Sequence, residues 1–190
     1  GSTEWSRPKK GSPDWQVTIQ DPTAADLLKI ADAYGNPTLM ALEIAVDVAP
    51  KVTLGSTEDA AILEELYIAI AARFRPEERA LWAYGVRGAL SGRGKRPKPL
   101  ERRFPTPLEE VVYGHRGDFM QAKLYLKTLD HKVLLPLSEH RVRMEVTLKR
   151  WACMEFGLDR ARDLFNYPSR AKLAGHFRII DRPEVRAAGE

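Results

Sequence analysis

The sequence predicts an α+β domain, an antiparallel sheet with helices on one face, and three observations carry that reading. Strand and helix signals alternate at first and strands then cluster, in the order β-α-β-α-β-β-β-α. Several segments alternate apolar and polar residues with the period of two that a half-buried strand requires, most clearly 140–149. The composition, 44% hydrophobic and 29% charged over 190 residues, suffices for one buried core and excludes a wholly disordered chain. Two strand–helix steps followed by three strands and a helix make a sandwich of ferredoxin-like kind.

Each element has its own signal. Residues 1–14 are polar and rich in Gly, Ser, Pro and Lys, with Gly1-Ser2 reading as the remnant of a cleaved tag, so a flexible lead-in is expected. A first strand follows at 15–20. Asp21-Pro22-Thr23 then offers a turn and a helix cap, Leu27, Leu28, Ile30 and Ala31 an inner stripe, and Gly35-Asn36-Pro37 a stop. The second strand is 38–48, which makes 15–48 about the length of a βαβ unit. Residues 57–74 are helical in period, with Ser56 or Thr57 as cap and Ile62, Leu63, Leu66 and Ile70 inward.

Residues 90–106 break the pattern with Gly, Pro and the cations Arg93, Lys95, Arg96, Lys98, Arg102 and Arg103. Such a stretch is either a solvated surface loop or a grip on phosphate. Strands follow at 109–114, 120–128 and 140–149, then a helical region from Trp151 towards Phe165 with a break at Gly157. The expected organisation is a lead-in (1–14), one α+β domain (15–167) and a basic tail (168–190).

Charge and composition exclude little else. The formal charge of +4 permits a nucleic-acid partner without requiring one. One cysteine, Cys153, rules out an internal disulfide framework and suits a reducing cytoplasm, and no apolar run approaches the ~20 residues that span a bilayer. No Gly-rich phosphate loop or nucleophile elbow is present, because Gly92 to Lys95 lies in a Pro-rich stretch.

Strand periodicity places the candidate chemistry. In 38–48, Leu42, Ile44, Val46 and Val48 share the inner face, so Glu43 and Asp47 share the other with Ala45 between them. In 120–128, Lys123, Tyr125 and Lys127 face outward, and in 140–149 Arg143 and Glu145 do so. If these strands are neighbours, Glu43, Asp47 and Glu145 offer hard oxygen ligands to Mg²⁺ or Mn²⁺ beside a phenol and cations. Such a group can open a phosphodiester, with Tyr125 attacking phosphorus and Lys127 or Arg143 steadying the charge. Ordinary cross-strand ion pairs on a solvated sheet give the same pattern.

Three stretches in order, VTIQDPTAADLLKIADAYGNPTLMALEIAVDV, VVYGHRGDFMQAKLYLKTLD and HRVRMEVTLKRWA, resemble the replication initiation factor family. These are rolling-circle initiators of plasmids and filamentous phages, related to the HUH endonuclease fold. Glu43 to Asp47 looks like the family's acidic strand, and Tyr113-Gly114-His115-Arg116 through Tyr125-Leu126-Lys127 like its two tyrosine motifs. Arg143-Met144-Glu145 looks like its Arg-x-Glu strand. The resemblance covers about residues 15–152.

It implies an HUH-endonuclease-like sheet and nicking and rejoining of single-stranded or hairpin origin DNA through a 5′-phosphotyrosyl link, helped by Mg²⁺ or Mn²⁺. Tyr125 is the first nucleophile and Tyr113 the second, with Lys127 the neighbouring cation. Glu43, Asp47 and Glu145 would hold the metal. Arg93, Lys95, Arg96, Lys98, Arg102, Arg103, Arg116, Lys123 and Arg143 would contact DNA. A homodimer and a host helicase are further expected partners, in the cytoplasm. The family's His-x-His pair is missing: His115, His131, His140 and His176 are scattered. The other function class is a non-catalytic nucleic-acid-binding module on the same fold, although the polar face is richer in carboxylates than in the aromatics that stack on bases.

Overall fold

The computed structural model describes residues 3–6, 16–20, 22–56, 59–76, 85–88, 98–99, 109–114, 119–130 and 133–181. The chain is α+β. Its main sheet is antiparallel and runs in the order β3-β10-β7-β6-β4-β5. The strands are β3 (Ala41–Val48), β4 (Gly85–Gly88), β5 (Lys98–Pro99), β6 (Glu109–Tyr113), β7 (Met120–Lys127) and β10 (Arg141–Lys149). β10 lies between β3 and β7 and is the best-read segment. Val142, Met144, Val146 and Leu148 are each 2% exposed or less, as alternation predicts for an inner face.

Helix α2 (Asp59–Ala71) covers that face, burying Leu63, Tyr67 and Ile70 with Phe74 against Val111, Leu124, Met144 and Val146. Its entry is fixed by the Asp59 carboxylate, which accepts from the backbone N–H groups of Gly55 and Ser56 at 2.8 and 2.9 Å. Ile62, expected inward, is 40% exposed. Helix α1 (Ala24–Ala33) begins at Thr23, which forms a capping box with Asp26, and ends where Gly35 and Asn36 take positive φ of 65° and 58°.

Several expectations need correction. The lead-in contains a strand, β1 (Thr3–Ser6), which pairs with β2 (Gln16–Ile19) in a separate two-stranded sheet. β2 and β3 therefore do not form a βαβ unit: alternation identified a strand but could not name its partner. β3 lies at the edge of the sheet, and Val46 on its inner face is 38% exposed. The path from β7 to β10 carries an unexpected ribbon, β8 (Leu129–Asp130) paired with β9 (Val133–Leu134).

After helix α3 (Arg150–Glu155), the chain turns at Gly157, whose φ is 76°. The segment from 168 is not a tail up to residue 181. Helix α4 (Ser169–Leu173) and a 3-10 turn (Ala174–Phe177) bury Leu173 and His176, and Ile179 bridges to Phe74. Among the described residues no helix is long and apolar enough to cross a membrane.

Candidate functional site on the polar face of the sheet

The register of β3, β10 and β7 decides what meets on the outer face. β10 pairs with β7 so that Arg143 opposes Tyr125, Glu145 opposes Lys123 and Arg141 opposes Lys127. On its other side Arg143 opposes Asp47, Glu145 opposes Ala45 and Thr147 opposes Glu43. Directly opposed residues point the same way. Tyr125, Lys127, Lys123, Arg143, Glu145, Glu43 and Asp47 therefore share one face, in rows set by the pleat.

Glu145 is the hub. It is 4% exposed, and its two oxygens are divided between neighbours: Lys123 Nζ donates to Oε1 at 2.5 Å and Tyr125 Oη donates to Oε2 at 2.8 Å. Burial alone pushes the Glu145 pKa up, but the bond and charge of Lys123 and the bond from Tyr125 outweigh it and leave it lowered. Lys123 is raised in return: burial works against its ammonium, and Glu145 with Glu43 behind it more than compensates. The Tyr125 phenol is pushed far above its ordinary range, first by burial and then by the negative charge of Glu145. The Arg143 guanidinium beside it pulls the other way and loses. At neutral pH the phenol is protonated and hands its hydrogen to a carboxylate.

Glu43 completes a carboxyl pair with Glu145. Thr147 Oγ1 donates to its Oε2 at 3.2 Å, and its pKa is raised, first by burial and next by the Glu145 charge. A carboxyl whose proton is held more tightly in the folded state stabilises the fold fully below its unfolded pKa of about 4.3. That stability is lost as pH rises through the raised folded value. Glu43→Gln, which imitates the protonated form, is therefore expected to raise the melting temperature at pH 7.5 by roughly 1–3 °C and to change little at pH 4. The gain is small because the edge position leaves Glu43 partly in water. Melting curves at the two pH values check it, and equal shifts at both would contradict the assignment.

Asp47 is committed elsewhere. Its Oδ1 accepts from Arg143 Nε at 2.7 Å, and its Oδ2 from Arg143 Nη2 at 2.7 Å and Arg141 Nε at 2.8 Å. The Arg143 bonds, with Arg141 second, hold its carboxyl well below the usual range. Lys127 is paired with Asp130 at 2.6 Å. The carboxylates thus separate into two groups, Glu43 with Glu145 and Asp47 with its arginines. Among the described residues no three Asp, Glu, His or Cys side chains gather as a metal site requires, so the three-carboxylate set does not fit a Mg²⁺ or Mn²⁺ cage in this arrangement.

Tyr113 stands apart from this face. It is 2% exposed, packs edge-to-face on Phe74 with ring centroids 5.4 Å apart, and its hydroxyl donates to the Phe74 carbonyl at 3.4 Å. It shares strand parity with Val111, which turns it into the core, so the second-choice nucleophile is a packing residue. Tyr67, expected in the core, is fully buried there.

Arg93, Lys95, Arg96, Arg102, Arg103, Arg116, His115 and His131 lie outside the described residues; Lys98 is described in its backbone, within β5. His140 Nε2 is 2.9 Å from the Leu135 carbonyl, and His176 packs edge-to-face on Phe156. Sequence reasoning missed two members of the face, Arg141 and Thr147. The signal was available, because each lies two residues from a named neighbour on the same strand. Comparison of the chain with protein-family models, curated proteins and solved structures finds no match.

Proposed function

We propose that this face nicks and rejoins single-stranded DNA at a rolling-circle origin, with Tyr125 as nucleophile, on a sheet of the ferredoxin-like, HUH-endonuclease-like kind. One observation carries the reading: a half-buried phenol donates to a buried carboxylate at 2.8 Å, with guanidinium and ammonium groups beside both. Glu145 accepts the phenolic proton as Oη attacks phosphorus. The raised phenol and lowered carboxylate oppose that transfer until an incoming phosphate draws Lys123 away from Glu145 and makes the carboxylate more basic. The Oη–P bond forms, the P–O3′ bond breaks, and the 3′ oxygen leaves with the proton that Glu145 took, relayed through water. The reverse sequence rejoins the strand. Arg143 and Lys123 supply fixed positive charge where the phosphoryl oxygens gain negative charge, which is where electrostatic catalysis is strongest.

The test is an incubation with a single-stranded oligonucleotide, once with Mn²⁺ and once with a chelator, followed by a denaturing gel. A covalent protein–DNA band supports the proposal. The competing reading is a non-catalytic DNA-binding module, favoured by the engagement of Asp47 and Glu145 with cations in the resting face. It predicts steep salt dependence and no covalent band.

Asp47 separates binding from chemistry. Asp47→Asn removes the charge that holds Arg141 and Arg143, leaving both guanidiniums free for phosphate. Affinity for single-stranded DNA at low salt is expected to rise about tenfold, ~1.4 kcal/mol. Fluorescence anisotropy reads it, and weaker binding would show that Asp47 orders the arginines rather than competing for them.

A further inference from the structure

A second cationic feature lies where the chain leaves α2. The segment Arg73–Arg75 meets 178–180 in a short antiparallel bridge: Phe74 pairs with Ile179, Arg75 N–H donates to the Arg178 carbonyl at 2.8 Å, and Ile180 N–H donates to the Arg73 carbonyl at 3.0 Å. This geometry sets Arg75 directly opposite Arg178, with Arg73 one step beyond Phe74. Like charges opposed across an antiparallel pair are destabilising, and such positions normally acquire a carboxylate.

Among the described residues none of the three arginines forms an ion pair. Arg75 Nη1 donates only to the Phe74 carbonyl at 2.9 Å, and Arg73 Nε is buried without a hydrogen-bond partner. The carbonyl end of α2 favours one cation nearby. It does not account for Arg178, which arrives opposite Arg75 from another part of the chain, nor for a buried donor left unmet. A buried N–H left unmet, next to a strand pair that sets two further arginines opposite each other, suits an anionic ligand.

We infer that Arg73, Arg75 and Arg178 form a second phosphate-backbone site for DNA, distinct from the Tyr125 face. Phe74 and its partner Tyr113 belong to the core side of the sheet, whereas Tyr125 lies on the opposite side. The two sites thus grip different stretches of one DNA molecule that passes around the domain. This rests on the reading of the chain as DNA-acting, but it needs binding alone and no covalent step.

The experiment measures the salt dependence of binding to a 25-bp duplex by anisotropy, for the wild type, Arg178→Gln and the triple variant Arg73→Gln/Arg75→Gln/Arg178→Gln. The log–log slope should fall by about 0.9 for each arginine removed, so by about 2.7 in the triple variant. Arg178 is exposed, so its single variant reports even if the triple variant folds poorly. An unchanged slope for Arg178→Gln, or no binding of the duplex by the wild type, overturns the inference. The covalent band on a short oligonucleotide, read in parallel, keeps the two proposals apart. A lowered slope without a band sinks the nuclease and leaves the arginine site, and a band with an unchanged slope does the reverse.

Discussion

Tyr125→Phe is expected to abolish the covalent protein–DNA band while leaving DNA binding close to wild type. The substitution removes one oxygen and nothing else, so the ring keeps its place opposite Arg143. Glu145 loses the donor on Oε2 but retains Lys123 on Oε1, and a missing hydrogen bond of this kind costs about 1–2 kcal/mol. The fold therefore persists, and any loss of the band reports chemistry. Removing a nucleophile outright lowers a rate by a factor on the order of 10⁴ or more, which on a gel is absence. Tyr113→Phe is the internal control, because its ring is buried in the core and its hydroxyl donates to the Phe74 carbonyl at 3.4 Å. A band that survives in Tyr125→Phe and vanishes in Tyr113→Phe would reverse the assignment.

The largest effect on stability is expected at Glu145. Glu145→Leu leaves the Lys123 ammonium, itself only 24% exposed, without its hydrogen-bonded counter-charge and with only the weaker pull of Glu43 and Glu110. Breaking a buried pair from one side costs about 3–5 kcal/mol, a fall in melting temperature of roughly 6–20 °C for a domain of this size. Removing both partners should cost far less, so Lys123→Met/Glu145→Leu is expected to recover most of the loss. Thermal melts of the three proteins decide it. A double variant as unstable as the single one would mean that Glu145 supports the sheet through Tyr125 or Glu43 rather than through Lys123.

How much of this was legible depended on whether the deciding contact was local. β10 was readable because both of its faces alternate without interruption. The same period placed Glu43 and Asp47 on one side of their strand before any neighbour was known. Period cannot supply register, which long-range pairing fixes. That is why three carboxylates that looked like one cage divide into two groups: Asp47 falls opposite Arg143, one pleat away from Glu145. Tyr113 was misjudged although its parity with Val111 was visible, because a short motif outweighed the strand rule. The helix after Pro168 was missed for a different reason. Ser169-Arg170-Ala171-Lys172 is polar, and only the distant surface that receives Leu173 makes the segment fold.

The strand order also dictates the sequence of assembly. The phenol and its carboxylate lie 20 residues apart on adjoining strands, whereas the bond from Arg143 to Asp47 spans 96 residues. Closing the longer loop costs about 1.4 kcal/mol more in chain entropy, and it adds only an edge strand. We expect the hairpin of β7 and β10 to form first and β3 to dock last. The nascent sheet would then show Arg141 and Arg143 before the acid that balances them arrives.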